Sequence, residues 1–130
     1  MDRSDVTYEN MNQRLVEVLP ERQEAYEGLL EWWGDEEPGQ HVVYGDLINP
    51  WLFDLLDEPI DEELFGRIFG LMEELANHEE RHVREVVVVT ILEYLLHDDA
   101  KHERARAYMG PTTLNYSRQV EKHWKTKPES

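Results

Sequence analysis

The chain has 130 residues, and 13 Lys+Arg against 29 Asp+Glu give it a formal net charge of −16. That length is one domain's worth, and a 40% hydrophobic content is enough for a real core. The absence of cysteine excludes disulfides, thiol catalysis and thiolate metal sites.

In chain order, residues 5–19 carry Val6, Leu15, Val16 and Leu19 at helical spacing, and Pro20 ends that segment. The next helix follows Pro20 with Glu21 and Glu24 in its first turn, where acids suit the helix dipole. Its stripe is Ala25, Tyr26, Leu29, Leu30 and Trp33, and Gly34 stops it. Residues 35–39 are a loop by composition. Asn49-Pro50 predicts a split of the next apolar stretch into a short helix over 41–48 and a second beginning at Pro50.

Residues 61–77 are the clearest helix, with Asp61, Glu62 and Glu63 at its start and Leu64, Ile68, Leu71, Met72 and Leu75 on one face. Gly66 and Gly70 lower its propensity, and a close helix crossing would account for them. Val86–Leu92 has strong strand propensity, yet the apolar pattern runs on through Tyr94, Leu95 and Leu96 without a turn signal. Residues 79–98 are therefore expected to form a central helix, buried on most sides. A short helix over 99–109, the Gly110-Pro111 break and a basic helix over 112–124 complete the domain, with 125–130 as a frayed tail. The fold expected is all-α: a single domain, residues 1–124, of about seven short helices. They would stack as antiparallel pairs, like a HEAT fragment, or form an irregular orthogonal bundle.

His78-Glu79-Glu80-Arg81-His82 satisfies the pattern H-E-x-x-H. On a helix the two histidines would share a face and could hold Zn²⁺, with Glu79 as general base. Charged Glu80 and Arg81 occupy its inner positions, and the motif follows Asn77 at a helix junction. A solvated helix start is the better reading, with no metal and no cofactor expected. His97, Asp98, Asp99 and His102 read as a capped junction, with Asp98 or Asp99 accepting backbone N–H bonds. No nucleophile elbow, P-loop or dinucleotide fingerprint is present.

Trp32 and Trp33 lie beside Glu31, Asp35, Glu36 and Glu37. On a helix they point about 100° apart, so both cannot enter one core. Tryptophan beside carboxylates suits recognition of a Lys/Arg-rich surface by stacking and ion pairing.

Three stretches of text are distinctive. One is Glu31-Trp32-Trp33-Gly34-Asp35-Glu36-Glu37-Pro38-Gly39, followed by His41-Val42-Val43-Tyr44-Gly45-Asp46. Another runs from Arg67-Ile68-Phe69 to Leu75-Ala76 and on to the Val-rich helix ending Leu92-Glu93-Tyr94-Leu95. The third is Ala107-Tyr108-Met109-Gly110-Pro111-Thr112. Over about residues 20–124 the chain resembles a family of small, acidic, all-helical proteins of unknown function, common in actinobacteria. By analogy of size, acidity and helical content, that family resembles the immunity proteins of bacterial toxin systems.

The function expected is that of a non-enzymatic cytoplasmic protein, monomeric or weakly dimeric. It would occlude a basic protein partner such as a nuclease toxin, as an immunity protein or antitoxin does. A field of this sign repels phosphate backbones and anionic lipid, so neither nucleic acid nor membrane is an expected partner. Residues 1–5 do not open a signal peptide, and no apolar run reaches a membrane span. The expected contact surface is Glu31, Trp32, Asp35, Glu36, Glu37 and Asp46, with Asp54, Asp57 and Glu58 nearby. The alternatives are an acidic DNA mimic of anti-defence type and a small zinc hydrolase at His78 and His82.

Overall fold

The computed structural model describes residues 6–126, which form seven helices and no strand. Helix α1 is Met11–Val18, and a 3₁₀ turn, Pro20–Arg22, leads into α2, Gln23–Trp33. Helix α3 is Gln40–Leu56 and α4 is Glu62–Ala76. Helix α5 is one continuous rod of three pieces: α-helical Arg81–Glu85, π-helical Val86–Leu92 and α-helical Glu93–Leu95. Helix α6 is Asp99–Arg106 and α7 is Pro111–Thr126.

The first helix begins later than its apolar spacing predicts. Thr7 N–H donates to Asn10 Oδ1 (2.8 Å) and Asn10 N–H to Thr7 Oγ1 (3.2 Å), so residues 7–10 are held as a turn. The last helix carries through Thr126, so the predicted tail at 125–130 lies partly in α7 and otherwise outside the described residues. Gly34 ends α2 with φ +66°, a conformation glycine adopts without strain.

Pro50 does not split α3. A proline inside a helix lacks its own N–H and crowds the carbonyl four residues back. Here that residue, Asp46, is exposed, as Pro50 is, so water can satisfy the freed carbonyl. One residue on, Arg22 Nε donates to the Leu47 carbonyl (2.9 Å), and its guanidinium lies 5.0 Å from the centroid of the Trp51 ring. An arginine from the preceding turn thus braces α3 where the proline weakens it.

Val86–Leu92 is helical, as the unbroken apolar pattern requires, but it is wound as a π-helix. Val86, Val87, Val88, Val89, Thr90 and Ile91 are successive β-branched residues, which crowd an α-helix at i, i+3 and i+4. The wider turn relieves that crowding. Val83, Val86, Val87, Ile91, Leu92 and Leu95 of this rod are buried. Helix α5 packs against α3, α4 and α7. A solenoid repeat touches only its neighbours in the chain. The contacts of α3 with α5 and of α4 with α7 bring together helices that are not consecutive in the chain, with α5 at the centre.

Gly66 and Gly70 do not mark a helix crossing, because no atom lies within 4 Å of a Cβ built at either. The close crossings are elsewhere. A Cβ at Gly45 would lie 3.2 Å from Thr90 Cγ2, where α3 meets α5. At Gly110 it would lie 2.5 Å from the Glu73 carboxyl group.

That second approach explains how α7 starts. Its N-terminus carries Gly110 and Pro111, neither with a side chain that can cap it. Glu73 of α4 supplies the cap instead. Its Oε1 accepts from Thr113 N–H (2.9 Å) and Thr113 Oγ1 (2.8 Å), and its Oε2 accepts from Thr112 N–H (3.0 Å) and Asn77 Nδ2 (3.0 Å). Burial opposes ionisation of Glu73, but these four hydrogen bonds outweigh it and hold the carboxyl at about 2, against an ordinary 4.5. A second buried polar pair, His102 Nε2 with Ser117 Oγ (2.8 Å), joins α6 to α7. Burial holds the His102 imidazole below its ordinary value, and nearby Arg106 acts in the same direction.

Both shifts are downward, so both groups stabilise the fold at higher pH. Glu73 contributes fully above pH 4.5 and loses that contribution as the pH falls through about 2. His102 contributes fully above its ordinary 6.5 and loses it below. Replacing Glu73 by alanine removes the cap and is expected to lower stability at neutral pH by about 1–3 kcal/mol in urea unfolding. Gly110→Ala should displace the same carboxylate, so the two substitutions together should cost little more than either alone. The deficit of Glu73→Gln relative to wild type should shrink as the pH is lowered from 4.5 towards 2. A deficit independent of pH would show that the charge on Glu73 does not matter.

Candidate functional site

The predicted contact residues separate into two groups. Glu31 and Trp32 lie in the last turn of α2, and Asp35, Glu36 and Glu37 follow in the loop that enters α3. Asp54 lies in the last turn of α3, with Asp57 and Glu58 just after it. Helix α3 is about 25 Å long, so the two groups sit at its opposite ends. Asp46 lies between them on the exposed side of α3.

The environments of the two ends differ. At the C-terminal end, Lys101 Nζ is 3.1 Å from Asp57 Oδ2 and 4.4 Å from the centroid of the Phe53 ring. Arg104 donates to the main-chain carbonyls of Leu56 and Glu58. Two cations from α6 thus meet the negative end of the α3 dipole and its acids. Of these acids, Asp57 ties α6 to the end of α3 through its carboxylate.

The α2 end has no such compensation. Residues 23–37 contain six acids, Glu24, Glu27, Glu31, Asp35, Glu36 and Glu37, and no base. Several bases are engaged elsewhere: Arg14 with Glu74, Arg67 with Glu21 and Glu63, Arg81 with Glu85, and Arg106 with Glu103 and Glu121. Arg67 grips Glu21 through two hydrogen bonds, of 2.8 and 2.5 Å, and holds that carboxyl at about 2.

No residue of α2 is fully buried. Ala25, Tyr26 and Leu29 rest half-buried on the core, while Leu30 is 38% exposed and Trp32 is 81% exposed. Trp33 is half-buried and meets Trp32 edge-on, with ring centroids 6.2 Å apart. Neither tryptophan is in the core, as was expected of one of them. Within α2, Gly28 and Glu24 lie on the same side of the helix as Trp32, about 40° and 80° away, and both are exposed, as are Glu27, Glu31 and Asp35. No atom lies within 4 Å of a Cβ at Gly28, so the helix surface one turn before Trp32 is open. A buried aromatic ring explains itself by packing, and this ring has almost none.

Residues 12–125 match a family described as a domain of unknown function, DUF7674. The chain belongs to that family. No curated protein and no solved structure matches it. In this DUF7674 chain the distinctive text falls into two kinds of place. Arg67, Glu73 and the turn at Gly110 are structural: an ion-pair hub, a helix cap and the space that cap needs. The segment from Glu31 to Glu37 has no comparable role in packing.

The histidine motif does not form one helix face. His78, Glu79 and Glu80 precede α5, which starts at Arg81. Both ring nitrogens of His78 are engaged: Nδ1 accepts from Glu80 N–H (2.9 Å), so Nε2 carries the proton and donates to the Val6 carbonyl (2.5 Å). His82 is exposed, 3.3 Å from Glu85 Oε1 and 5.8 Å from the Tyr8 ring. Among the described residues no group of three His, Asp or Glu side chains is placed to hold a metal ion. Asp98 is the cap of α6, accepting from Lys101 N–H (3.0 Å), as its place in the sequence predicts. No helix of the described residues is long and apolar enough to cross a membrane.

The His78 geometry makes a testable statement. His78→Ala should lower the melting temperature, because it releases the Val6 carbonyl from the turn between α4 and α5. Neither zinc nor a chelator should change the melting temperature of the wild type. One retained equivalent of zinc, lost on His78→Ala, would contradict this assignment of the ring.

Proposed function

We propose that this DUF7674 protein is a non-enzymatic binding protein of immunity or antitoxin type, acting in the cytoplasm, that occludes a basic protein partner. The observation that supports it is the outer face of α2 and the loop after it. An indole 81% exposed lies among six carboxylates with no base in the same stretch. Carboxylates of one sign steer a basic partner to the surface and raise the rate of encounter. A guanidinium arriving there can stack on the indole while it pairs with Glu31 or Asp35, which is how tryptophan anchors form affinity hot spots.

The surface proposed is Glu31, Trp32, Asp35, Glu36 and Glu37, with Asp46 on its border. Asp54, Asp57 and Glu58 stand at the far end of α3, where Lys101 pairs with Asp57 and Arg104 adds a second positive charge, and they are left out of it.

The test is affinity capture from the native host with three baits: wild type, Trp32→Ala, and a variant with Glu31, Asp35, Glu36 and Glu37 neutralised to their amides. The wild type should retain one basic protein that elutes at high salt. The amide variant should lose it at physiological salt, and Trp32→Ala should hold it more weakly. Retention of the same protein by all three baits would overturn the surface, and retention of nothing by the wild type would overturn the function.

A further inference from the structure

An apolar cleft lies between α5 and the far half of α7. Tyr116, Val120 and Trp124 line one wall, at i, i+4 and i+8 of a single stripe of α7. Val88 and Glu93 of α5 line the other, and His123 stands at the side. The cleft has a volume of about 420 Å³, within the range of small-molecule sites. Trp124, one of its lining residues, is 43% exposed, so an apolar ring faces solvent at the cleft.

Three observations give the cleft a chemical preference. First, Glu93 is half-buried, and its carboxylate has no ion-pair or hydrogen-bond partner among the described residues. Among the other half-buried carboxylates, Glu73, Glu74, Glu85, Asp98 and Glu121 are engaged. Glu80 shares the unpartnered state, and of these two Glu93 is the one that lines the cleft. A carboxylate set against apolar walls without a partner favours a cation that can reach it. Second, the opposite wall carries two aromatic rings, whose faces attract an ammonium group. His97 meets the Trp124 ring edge-on, at 5.6 Å and 82°, which fixes the indole at the mouth. Third, the wall contributed by α5 begins in its π-helical segment, and π turns recur at functional sites because they displace side chains from α-helical register.

We infer that this cleft binds a small organic monoammonium ion with an apolar tail. The ammonium pairs with Glu93 and the tail lies along Tyr116, Val120 and Trp124. Tyr116 and Trp124 are about 12 Å apart along the helix axis, so the ligand is elongated and is not caged by both rings at once. A ligand with a carboxylate would meet Glu93 and is excluded. This site stands apart from the α2 surface and does not depend on it.

The experiment titrates the full-length ¹⁵N-labelled protein with n-hexylammonium, 1-hexanol and hexanoate at matched ionic strength and follows amide and indole signals. Hexylammonium should shift Glu93, Tyr116, Val120 and the Trp124 indole N–H, and bind about tenfold more tightly than hexanol. Hexanoate should not bind. In Glu93→Gln the advantage of the ammonium over the alcohol should vanish while hexanol still binds, which shows that the cleft is intact. Trp124→Ala should weaken both. Equal binding of the alcohol and the ammonium by the wild type would overturn the inference. So would an advantage that survives in Glu93→Gln, or ammonium shifts confined to α2.

Discussion

Thr90, in the π-helical part of α5, is met by three residues from one stripe of α3. His41 Nδ1 lies 2.6 Å from its hydroxyl, Gly45 lets its methyl group approach, and Asn49 Nδ2 donates 3.0 Å to its carbonyl. These residues are four apart, so a straight helix lays all three along one contact. Helix α3 in turn carries α1, α2 and α6. The register between α3 and α5 therefore sets where every other surface sits. The contact also has a cost. Asn49 is buried, and its Oδ1 has no hydrogen-bond partner among the described residues, which is worth about 1–3 kcal/mol against the fold. An apolar residue at 49 would avoid that cost and leave the Thr90 carbonyl without this donor.

The charges divide along the same lines. With 13 bases for 29 acids, most acids must go unpaired, and the fold decides which. The bases close helix ends and cross between helices: Arg22 on α3 beside its proline, Arg67 between α4 and the turn after α1, Lys101 and Arg104 at the C-terminus of α3. Six of the acids without a basic partner lie in α2 and the loop after it, and α2 has no fully buried residue. Like charges there repel one another, which opposes folding slightly. Recognition of a basic partner gives that arrangement a use, and packing gives it none.

Much of the fold was legible in the sequence because amphipathic spacing survives without knowledge of neighbours. The α4 face, the Asp61 and Asp98 caps, the stop at Gly34 and the helical state of Val86–Leu92 all follow from local pattern. What was not legible depended on partners distant in the chain. Pro50 reads as a break unless Arg22 is known to reach Leu47. Gly66 and Gly70 read as a crossing, whereas the glycines that permit close approach are Gly45 and Gly110. Glu73 was missed as one acid among many. Its signal was indirect: a helix start at Gly110-Pro111 with no capping side chain of its own needs an acceptor from elsewhere. Of the candidate surface, the exposed state of Trp32 was half legible, since adjacent helical residues cannot share a core. The distance between the two acidic groups was not, because it follows from α3 being unbroken.

The central claim is that the outer face of α2 contributes nothing to folding while the α3–α5 contact does. The direct measurement is urea unfolding of two variants. In the first, Trp32 is replaced by alanine together with amide neutralisation of Glu31, Asp35, Glu36 and Glu37. In the second, Asn49 is replaced by alanine. The account predicts that the surface variant keeps the wild-type stability within about 0.5 kcal/mol, or gains from relieved repulsion. The Asn49 variant should lose about 1–3 kcal/mol, because the void left by a buried side chain at the α3–α5 contact and the lost donor to the Thr90 carbonyl together outweigh the relief of its unpartnered Oδ1. A surface variant destabilised by as much as the Asn49 variant would show that α2 holds the fold through that face, and would contradict the account.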